Sequence, residues 1–288
     1  MKEELIDPGS QTWEWEIKPE TSWFGVGFKE IYAFKDLLLS LARKEFLGSF
    51  QQTLLGPFWV LLQPILTVLV YVLVFNGVIG VSTGNTPPLL FNLIGITLWN
   101  LFSEVFLSVT KTFTQNAPIF NKVYFPRIIV ALSAVLLQLV LFSVQFLLLL
   151  VVFLYFLLTG AVEFNLSHIY LIFPAIVIVT GIGLGAGLIF AVLTAKYRDL
   201  SALVQLIVRL LMFICPVFYS LAMVPERVAW LVEVNPLSSQ FELFRFAFLG
   251  HGDFTTIGIF YSLSLMLVIV WGGTLLFNKM SDRLMDVI

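Results

Sequence analysis

This chain contains few of the residues that catalytic and metal-binding sites usually need. It has one cysteine, Cys215, and two histidines, His168 and His251, among 288 residues. One cysteine excludes a disulfide framework within the chain and a thiolate metal cage, and two separated histidines are too few for a typical histidine-based metal site. The sequence also contains no Gly-Lys pair, so it has no nucleotide-binding phosphate loop. A nucleotide-hydrolysing enzyme is therefore not indicated.

Charged residues are also scarce, and the apolar residues fall in long runs. The chain is 59% hydrophobic and 12% charged, with a mean hydropathy of +0.97, which is typical of a membrane protein. The runs do not alternate as barrel strands do, so we predict an all-α integral membrane protein. Its six predicted membrane spans are residues 56–79, 89–112, 128–158, 169–195, 200–219 and 257–277. Each is near or above the roughly 20 residues that a crossing requires.

The distribution of basic residues predicts the orientation. Of the 16 Lys and Arg residues, thirteen fall in alternate segments that would share one side of the membrane, and only Arg227 and Arg245 fall on the other. Arg209 lies within a span. Because Lys and Arg concentrate in cytoplasmic loops, we predict that both termini are cytoplasmic. The thirteen are Lys2, Lys18, Lys29, Lys35, Arg43, Lys44, Lys111, Lys122, Arg127, Lys196, Arg198, Lys279 and Arg283.

The part of the chain that precedes the first span divides in two. Residues 1–27 hold six carboxylates and three tryptophans, which predicts a cytoplasmic tail rather than a signal peptide. Residues 28–55 mix apolar residues with Arg43 and Lys44, as an amphipathic helix in the inner membrane interface does. The alternative is an ordinary helix that extends the first span. Gly56-Pro57 favours a break between the two.

Two further segments predict particular helical features, re-entrant helices in one and close helix packing in the other. The outer segment, residues 220–256, contains two apolar stretches separated by Asn235-Pro236, and it predicts two short re-entrant helices. Within the fourth span, four glycines alternate with apolar residues from Gly181 to Gly187. Small residues spaced four apart favour close contact between membrane helices, so we interpret this run as a packing surface.

Candidate substrate-contacting residues lie within the spans. Glu104 and Arg209 are costly in lipid, so each is expected to face a cavity, a subunit contact or a partner charge. Trp99, Phe102 and Phe106 are spaced to lie near one helical face. These rings could line a conduit on which sugars stack, or they could form a packing or lipid-facing stripe. The same conduit hypothesis includes four further aromatic residues, Tyr71, Phe75, Phe218 and Tyr219.

The loop between the second and third spans is short, basic and aromatic. It runs from Asn116 to Arg127 and ends with Asn121-Lys-Val-Tyr-Phe-Pro-Arg127. We expect Tyr124 and Phe125 to be exposed, and exposed rings in an aqueous loop favour a protein partner that covers them. The alternative is that they anchor the loop among lipid headgroups.

Four motifs, in order, resemble a known family. They are Leu54-Leu-Gly-Pro-Phe-Trp59 with Gln63-Pro64, then Asn121–Arg127, then Tyr197-Arg-Asp-Leu200, then Pro216-Val-Phe-Tyr-Ser220 with Asn235-Pro236. The chain resembles, over about residues 28–288, the membrane (permease) subunit of ABC-2-type exporters of O-antigen, teichoic acid or capsule. Residues 28–288 would then form the transmembrane domain.

The resemblance implies a function without catalysis by this chain. A homodimer would enclose a conduit for a lipid-linked polysaccharide of the polyprenyl pyrophosphate type in the bacterial inner membrane. Separate ATPase subunits would bind ATP and Mg, so no cofactor is expected here, and nucleic acid is not an expected partner. The implied ATPase-coupling residues are Pro118, Asn121, Lys122, Val123, Tyr124, Phe125 and Arg127, with Arg43 and Lys44 of the interfacial helix.

Two other classes of function remain open at this stage. One is an ATP-independent channel or lipid flippase in which the 116–127 loop is only a structural anchor. The other is an intramembrane enzyme, which the scarcity of histidine and the lack of a serine-protease motif disfavour. Co-purification with an ATPase would separate the exporter from the channel.

Overall fold

The computed structural model describes residues 28–80, 83–84, 86–120, 125–163, 165–197 and 199–285, and within these ranges all regular structure is helical. The α-helices are α1 Phe28–Ala33, α2 Lys35–Phe50, α3 Trp59–Tyr71, α4 Pro88–Thr110, α5 Thr112–Phe120, α6 Ile128–Leu158, α7 Ile172–Lys196, α8 Leu200–Ile214, α9 Glu226–Val234, α10 Ser238–Leu249 and α11 Thr256–Met285. A π-helical stretch, Val72–Val78, extends α3, and 3₁₀ turns at Gly56–Phe58 and Leu166–Leu171 precede α3 and α7.

Five helical segments are long and apolar enough to cross a membrane. They are Gly56–Val78, Pro88–Thr110, Ile128–Leu158, Leu166–Lys196 and Thr256–Met280. These segments confirm the helical, multi-pass character of five predicted spans. Each contains the roughly 20 residues or more that a crossing needs.

The fifth predicted span, residues 200–219, ends too late. Its helix, α8, contains 15 residues and stops at Ile214, because Cys215 is extended and Pro216 follows it. Proline disfavours helical geometry in the residue before it. At 1.5 Å per residue, α8 is about 22 Å long, shorter than a typical hydrocarbon core of about 30 Å. The chain from Cys215 to Ser220 is therefore an irregular segment.

The predicted interfacial helix is two helices and ends earlier than expected. A turn at Phe34 separates α1 from α2, and α2 stops at Phe50 rather than at residue 55. The helix α2 packs against α6. Its apolar residues Leu37, Leu38 and Leu41 face the core, while Arg43 and Lys44 are exposed. This division of faces agrees with the amphipathic pattern.

The core is built around α4. In the most apolar membrane-length part of α4, 83% of the residues are buried, against 11% in the segment that contains α3 and 22% in α6. The helix begins at Pro88, where a proline costs nothing because the first helical N–H groups have no intrahelical partner. It packs between α6 and α7, and α11 covers the other side of α7. Which side chains of α4 and its neighbours stay exposed therefore depends on the contacts that α4 makes.

The glycine run on α7 lets two helices approach closely. A β-carbon on Gly183 would lie 3.1 Å from Val105 Cγ1, and one on Gly187 would lie 2.7 Å from Val109 Cβ, both on α4. On the opposite side, a β-carbon on Gly185 would lie 2.7 Å from the backbone nitrogen of Val270 on α11. The predicted packing role of this run is confirmed.

The outer segment contains the two expected short helices. Helix α9 is largely exposed, whereas α10 is buried against α4, α7 and α11. Asn235, between them, donates from Nδ2 to Cys215 Sγ at 3.1 Å and accepts from the Leu237 backbone N–H at 3.1 Å. This residue ties the turn between α9 and α10 to the end of α8. Their depth in a membrane remains a prediction.

Candidate functional site

A polar cleft of about 560 Å³ opens in the apolar helical body. Residues from α2, α3, α4, α5, α6 and α8 line it. Its polar lining consists of Glu45, Ser49, Gln63, Asn100, Glu104, Ser108, Lys111, Gln115, Gln138, Gln145, Gln205 and Arg209. Polar and charged residues within apolar membrane-length helices mark cavities and functional paths, so this cleft is the candidate site.

One wall of the cleft is a polar face of α4. Asn100, Glu104 and Ser108 follow one another at intervals of four residues, so they lie on one side of the helix, and Lys111 continues that side just after α4 ends. The opposite side of α4, including Val105, faces the glycines of α7. Packing against α7 therefore fixes the direction in which the polar face points.

Helix α6 supplies the facing wall and holds it to α4 by two hydrogen bonds. The amide Nδ2 of Asn100 donates to Gln145 Oε1 at 3.2 Å, and Nε2 of Gln138 donates to Ser108 Oγ at 2.8 Å. Gln138 and Gln145 are seven residues apart, two helical turns along the same side of α6. The two bonds fix the separation of the walls and leave Glu104 between them along α4.

Helix α8 brings the second predicted intramembrane charge to the cleft. Gln205 and Arg209 are four residues apart and both line it, and Val208, which is buried, lines it as well. Glu104 and Arg209, which the sequence places in different spans, thus share one cavity. Of the three expected surroundings, a cavity, a subunit contact or a partner charge, the structure places both residues at a cavity. A substrate contact remains a prediction.

Helix α2 covers the end of the cleft at which Lys111 lies. Glu45, Ser49 and Phe50 line this end with Gln115 of α5. Desolvation there raises the pKa of the Glu45 carboxyl above its ordinary value. A neighbouring cleft of about 390 Å³ lies between α2, α5 and α6 and includes Lys44. Of the two predicted coupling cations on α2, Lys44 therefore borders a cavity, and Arg43 is exposed.

An aromatic side chain that the conduit hypothesis omitted also lines the cleft. Trp59, at the start of α3, is 46% exposed and belongs to the lining. The hypothesis also omitted all the amides of the lining. The signal was present in the sequence as amide and hydroxyl residues repeated at helical spacing within apolar spans, such as Gln138 and Gln145. Intramembrane charges alone do not reveal that pattern.

Three predicted conduit rings lie elsewhere. Trp99, Phe102 and Phe106 are 4%, 4% and 5% exposed, and they do not belong to the cleft lining. Phe102 stacks on Phe106 with ring centres 6.0 Å apart, and Phe106 meets Phe190 of α7 edge to face at 5.5 Å. These contacts favour the packing alternative. Their conduit role stays a prediction that the burial does not support.

The other predicted conduit aromatics form a separate cluster. Phe218 lies 4.2 Å from Tyr71 and 4.9 Å from Phe75, measured between ring centres, and is itself buried. The hydroxyl of Tyr219 donates to the carbonyl oxygen of Ile214 at 2.9 Å and so caps the end of α8. The cluster joins the π-helical end of the first span to the irregular segment after α8. Its contact with substrate stays a prediction.

The predicted coupling loop is only partly described. Asn121, Lys122, Val123 and Tyr124 lie outside the described residues, and Pro118 lies within α5. Arg127 directly precedes α6 and is partly exposed. The expected exposure of Phe125 is wrong: it is 7% exposed, because its ring packs 5.9 Å from that of Phe120. The coupling role of this loop stays a prediction.

A buried ion pair that sequence reasoning missed anchors the outer segment. Arg245 and Glu242, one turn apart on α10, pair at 2.9 Å. Arg245 also donates to the carbonyl oxygens of Pro216, Val217 and Tyr219 in the irregular segment. In the sequence these are two of the charged residues of the outer segment, and nothing local marks them as buried. The irregular segment that replaces the end of the predicted fifth span is held by this arginine.

The described residues contain no group of three or more His, Cys, Asp and Glu side chains that could hold a metal ion. The chemistry that the cleft offers is therefore hydrogen bonding and charge. Glu45, Glu104, Lys111 and Arg209 supply the charge, and amides and hydroxyls supply most of the hydrogen-bonding groups.

Comparison with known proteins gives consistent matches over most of the chain. The sequence model of the family described as "ABC-2 type transporter" matches residues 36–249. Two relatives from Klebsiella pneumoniae, both named "O-antigen export system permease protein RfbA", are each 29% identical over 255 residues, which cover 88% of this chain and 95% of the relative. A relative of the same name from Myxococcus xanthus is 26% identical over 263 residues, 90% of this chain and 98% of its own length.

Proposed function

Because this chain belongs to the ABC-2 type transporter family, we propose that it is the membrane subunit of an ATP-driven exporter of lipid-linked polysaccharide. The names of the relatives favour O-antigen as the cargo, with teichoic acid and capsule as alternatives. The observation that carries the proposal is the polar cleft between α4, α6 and α8. We propose that this cleft is one wall of the polymer's path.

The lining of the cleft suits a carbohydrate better than it suits lipid. Each sugar ring carries several hydroxyls, and a hydroxyl without a hydrogen-bond partner is costly outside water. Amide side chains both donate and accept, so the Asn100, Gln138 and Gln145 side chains offer partners to a hydroxylated chain. Trp59 at the lining adds an apolar ring face on which a sugar can lie.

The position of the cleft suits entry from the cytoplasm. From Asn100 to Lys111 the polar side of α4 covers eleven residues, about 16 Å along a helix, or roughly half the hydrocarbon thickness. With both termini in the cytoplasm of a bacterial cell, as the basic residues predict, Lys111 lies at the inner end. A polymer made in the cytoplasm would meet α2, Glu45 and Gln115 first.

We propose that energy comes from two separate ATPase subunits that dock on a homodimer of this chain. Their contacts would be α5, the 121–127 region that includes Lys122 and Arg127, and the exposed side of α2 with Arg43. Movement of α2 and α5 would act directly on the cleft, because Ser49 and Gln115 belong to its lining. ATP binding and hydrolysis would then shift the populations of closed and open paths.

The test is to obstruct the cleft and measure export. Ser108→Trp places a large side chain where Gln138 now bonds to Ser108, and we expect loss of polymer at the cell surface. The matched control is Ser143→Trp, because Ser143 is exposed on α6 and does not line the cleft. Wild-type export by Ser108→Trp at equal protein level would contradict the proposal. Export in cells without the ATPase would favour the ATP-independent channel.

A further inference from the structure

The cleft contains more amide side chains than charged ones. Its six amides are Gln63, Asn100, Gln115, Gln138, Gln145 and Gln205. Gln63, Gln115 and Gln205 make no side-chain hydrogen bond with another residue in the part of the chain that the structure describes. Asn100 and Gln138 bond through one donor each, which leaves their carbonyl oxygens available. The lining therefore offers both donors and acceptors to an occupant.

The charges of the lining balance. Two carboxylates, Glu45 and Glu104, are matched by two cations, Lys111 and Arg209. An anionic chain would have to pass both carboxylates, and a cationic chain would have to pass Lys111 and Arg209. A charge that leaves water without a partner costs far more than a hydroxyl does. No continuous series of one sign runs along the cleft to compensate a charge on every ring.

From this lining we infer that the cleft selects an uncharged, hydroxyl-rich glycan over a polyanionic one. The inference rests on the proposed function and adds to it the chemical class of the cargo. Hydroxyls match amides at every position because both groups donate and accept. As the sugar chain moves, its hydroxyls can therefore pass from one amide side chain to the next, and no single position binds the chain tightly. Teichoic acids, with a phosphate at each repeat, are disfavoured by the same argument.

The experiment compares two defined oligosaccharides on the purified full-length chain in lipid nanodiscs. The neutral probe is maltoheptaose, and the anionic probe is an oligogalacturonate of equal length, with one carboxylate per ring. Saturation-transfer NMR detects weak contacts and reports the affinity of each by titration. The variants are Gln205→Leu with Gln63→Leu, which removes two free amides, and Glu104→Gln, which removes one carboxylate. Ser143→Leu, outside the cleft, is the control.

We expect the neutral probe to bind about tenfold more tightly than the anionic probe, a difference of about 1.4 kcal/mol. The double leucine variant should lose binding of the neutral probe, because hydroxyls then lack partners, while Ser143→Leu should not. Glu104→Gln should reduce the preference, because it leaves a net positive lining.

Equal or tighter binding of the anionic probe would overturn the inference. So would binding of the neutral probe that the double leucine variant leaves unchanged, or binding of neither probe. None of these results bears on the path itself: if Ser108→Trp still blocks export, the proposed function stands and only the selectivity fails.

Discussion

The guanidinium of Arg245 lies over the ring of Phe91, 4.0 Å from the ring centre. Phe91 belongs to the first turn of α4, the helix that carries the polar wall of the cleft. Arg245 also holds the irregular segment that follows α8, through three carbonyl oxygens. One buried cation thus joins the start of α4 to the end of α8, two helices that line the cleft. The outer segment is in this way a structural support for the candidate path.

Removing this cation should destabilise the protein strongly. Arg245→Leu removes the charged partner of the buried Glu242 carboxylate and the donor to three carbonyl oxygens. Breaking a buried pair in this way costs about 3–5 kcal/mol. We expect a clearly lower thermal unfolding midpoint of the purified protein. The matched control is Arg227→Leu, since Arg227 is exposed on α9. Equal midpoints for the two variants would contradict the assigned role of Arg245.

The close approach of α7 to α4 gives a second prediction. Gly187→Leu forces side-chain atoms against Val109 and the Phe106 backbone. Overpacking of this kind costs about 1–3 kcal/mol. The variant should unfold at a lower temperature and export less, because α4 can no longer hold its polar face in place. Gly272→Leu on α11 is the control, since a β-carbon there meets nothing within 4 Å. Equal losses in both variants would refute the packing argument.

The sequence predicts the long helices well because apolar length and composition are local properties. It also predicts the α7 packing surface, since Gly183 and Gly187 can only serve close contact in an apolar span. It leaves open whether Trp99, Phe102 and Phe106 line a conduit or pack, because the contact of Phe106 with Phe190 of α7 is a long-range contact that spacing cannot reveal. The predicted end of α8 is wrong although Pro216 marks the true end locally, and the irregular segment that follows depends on Arg245, almost thirty residues later. Polar residues at helical spacing, such as Asn100, Glu104 and Ser108, were the overlooked local signal.

The predicted orientation can be tested by labelling single cysteines. In a Cys215→Ala background, a cysteine at Asp253 should react with a membrane-impermeant reagent in intact cells. Cysteines at Lys122 and Lys279 should react only after the membrane is opened, because basic segments stay in the cytoplasm. External labelling at Lys122 would contradict the orientation and, with it, cytoplasmic entry to the cleft.

The proposed coupling loop gives a further prediction, and the burial of Phe125 determines which residue should be replaced to test it. Replacing Phe125 would disturb its contact with Phe120 and confuse docking with folding. Tyr124→Ala alone should therefore be used, and we expect it to reduce co-purification of the ATPase and export together. Tyr155→Ala is the control, because Tyr155 is also exposed but lies on α6, within a candidate membrane span and not in the loop. Unchanged co-purification in Tyr124→Ala would contradict a docking role for this residue.

The most direct test of the cleft as the polymer's path is photocrosslinking in cells that make the polymer. A photoreactive phenylalanine analogue is placed at Gln205, in the cleft, at Phe106, among the buried rings, and at Phe260, exposed on α11. We predict that only the analogue at Gln205 becomes crosslinked to the polymer, which gives a ladder of protein–polymer products of increasing size. A ladder from Phe106 and none from Gln205 would contradict the account and move the path to the aromatic face of α4.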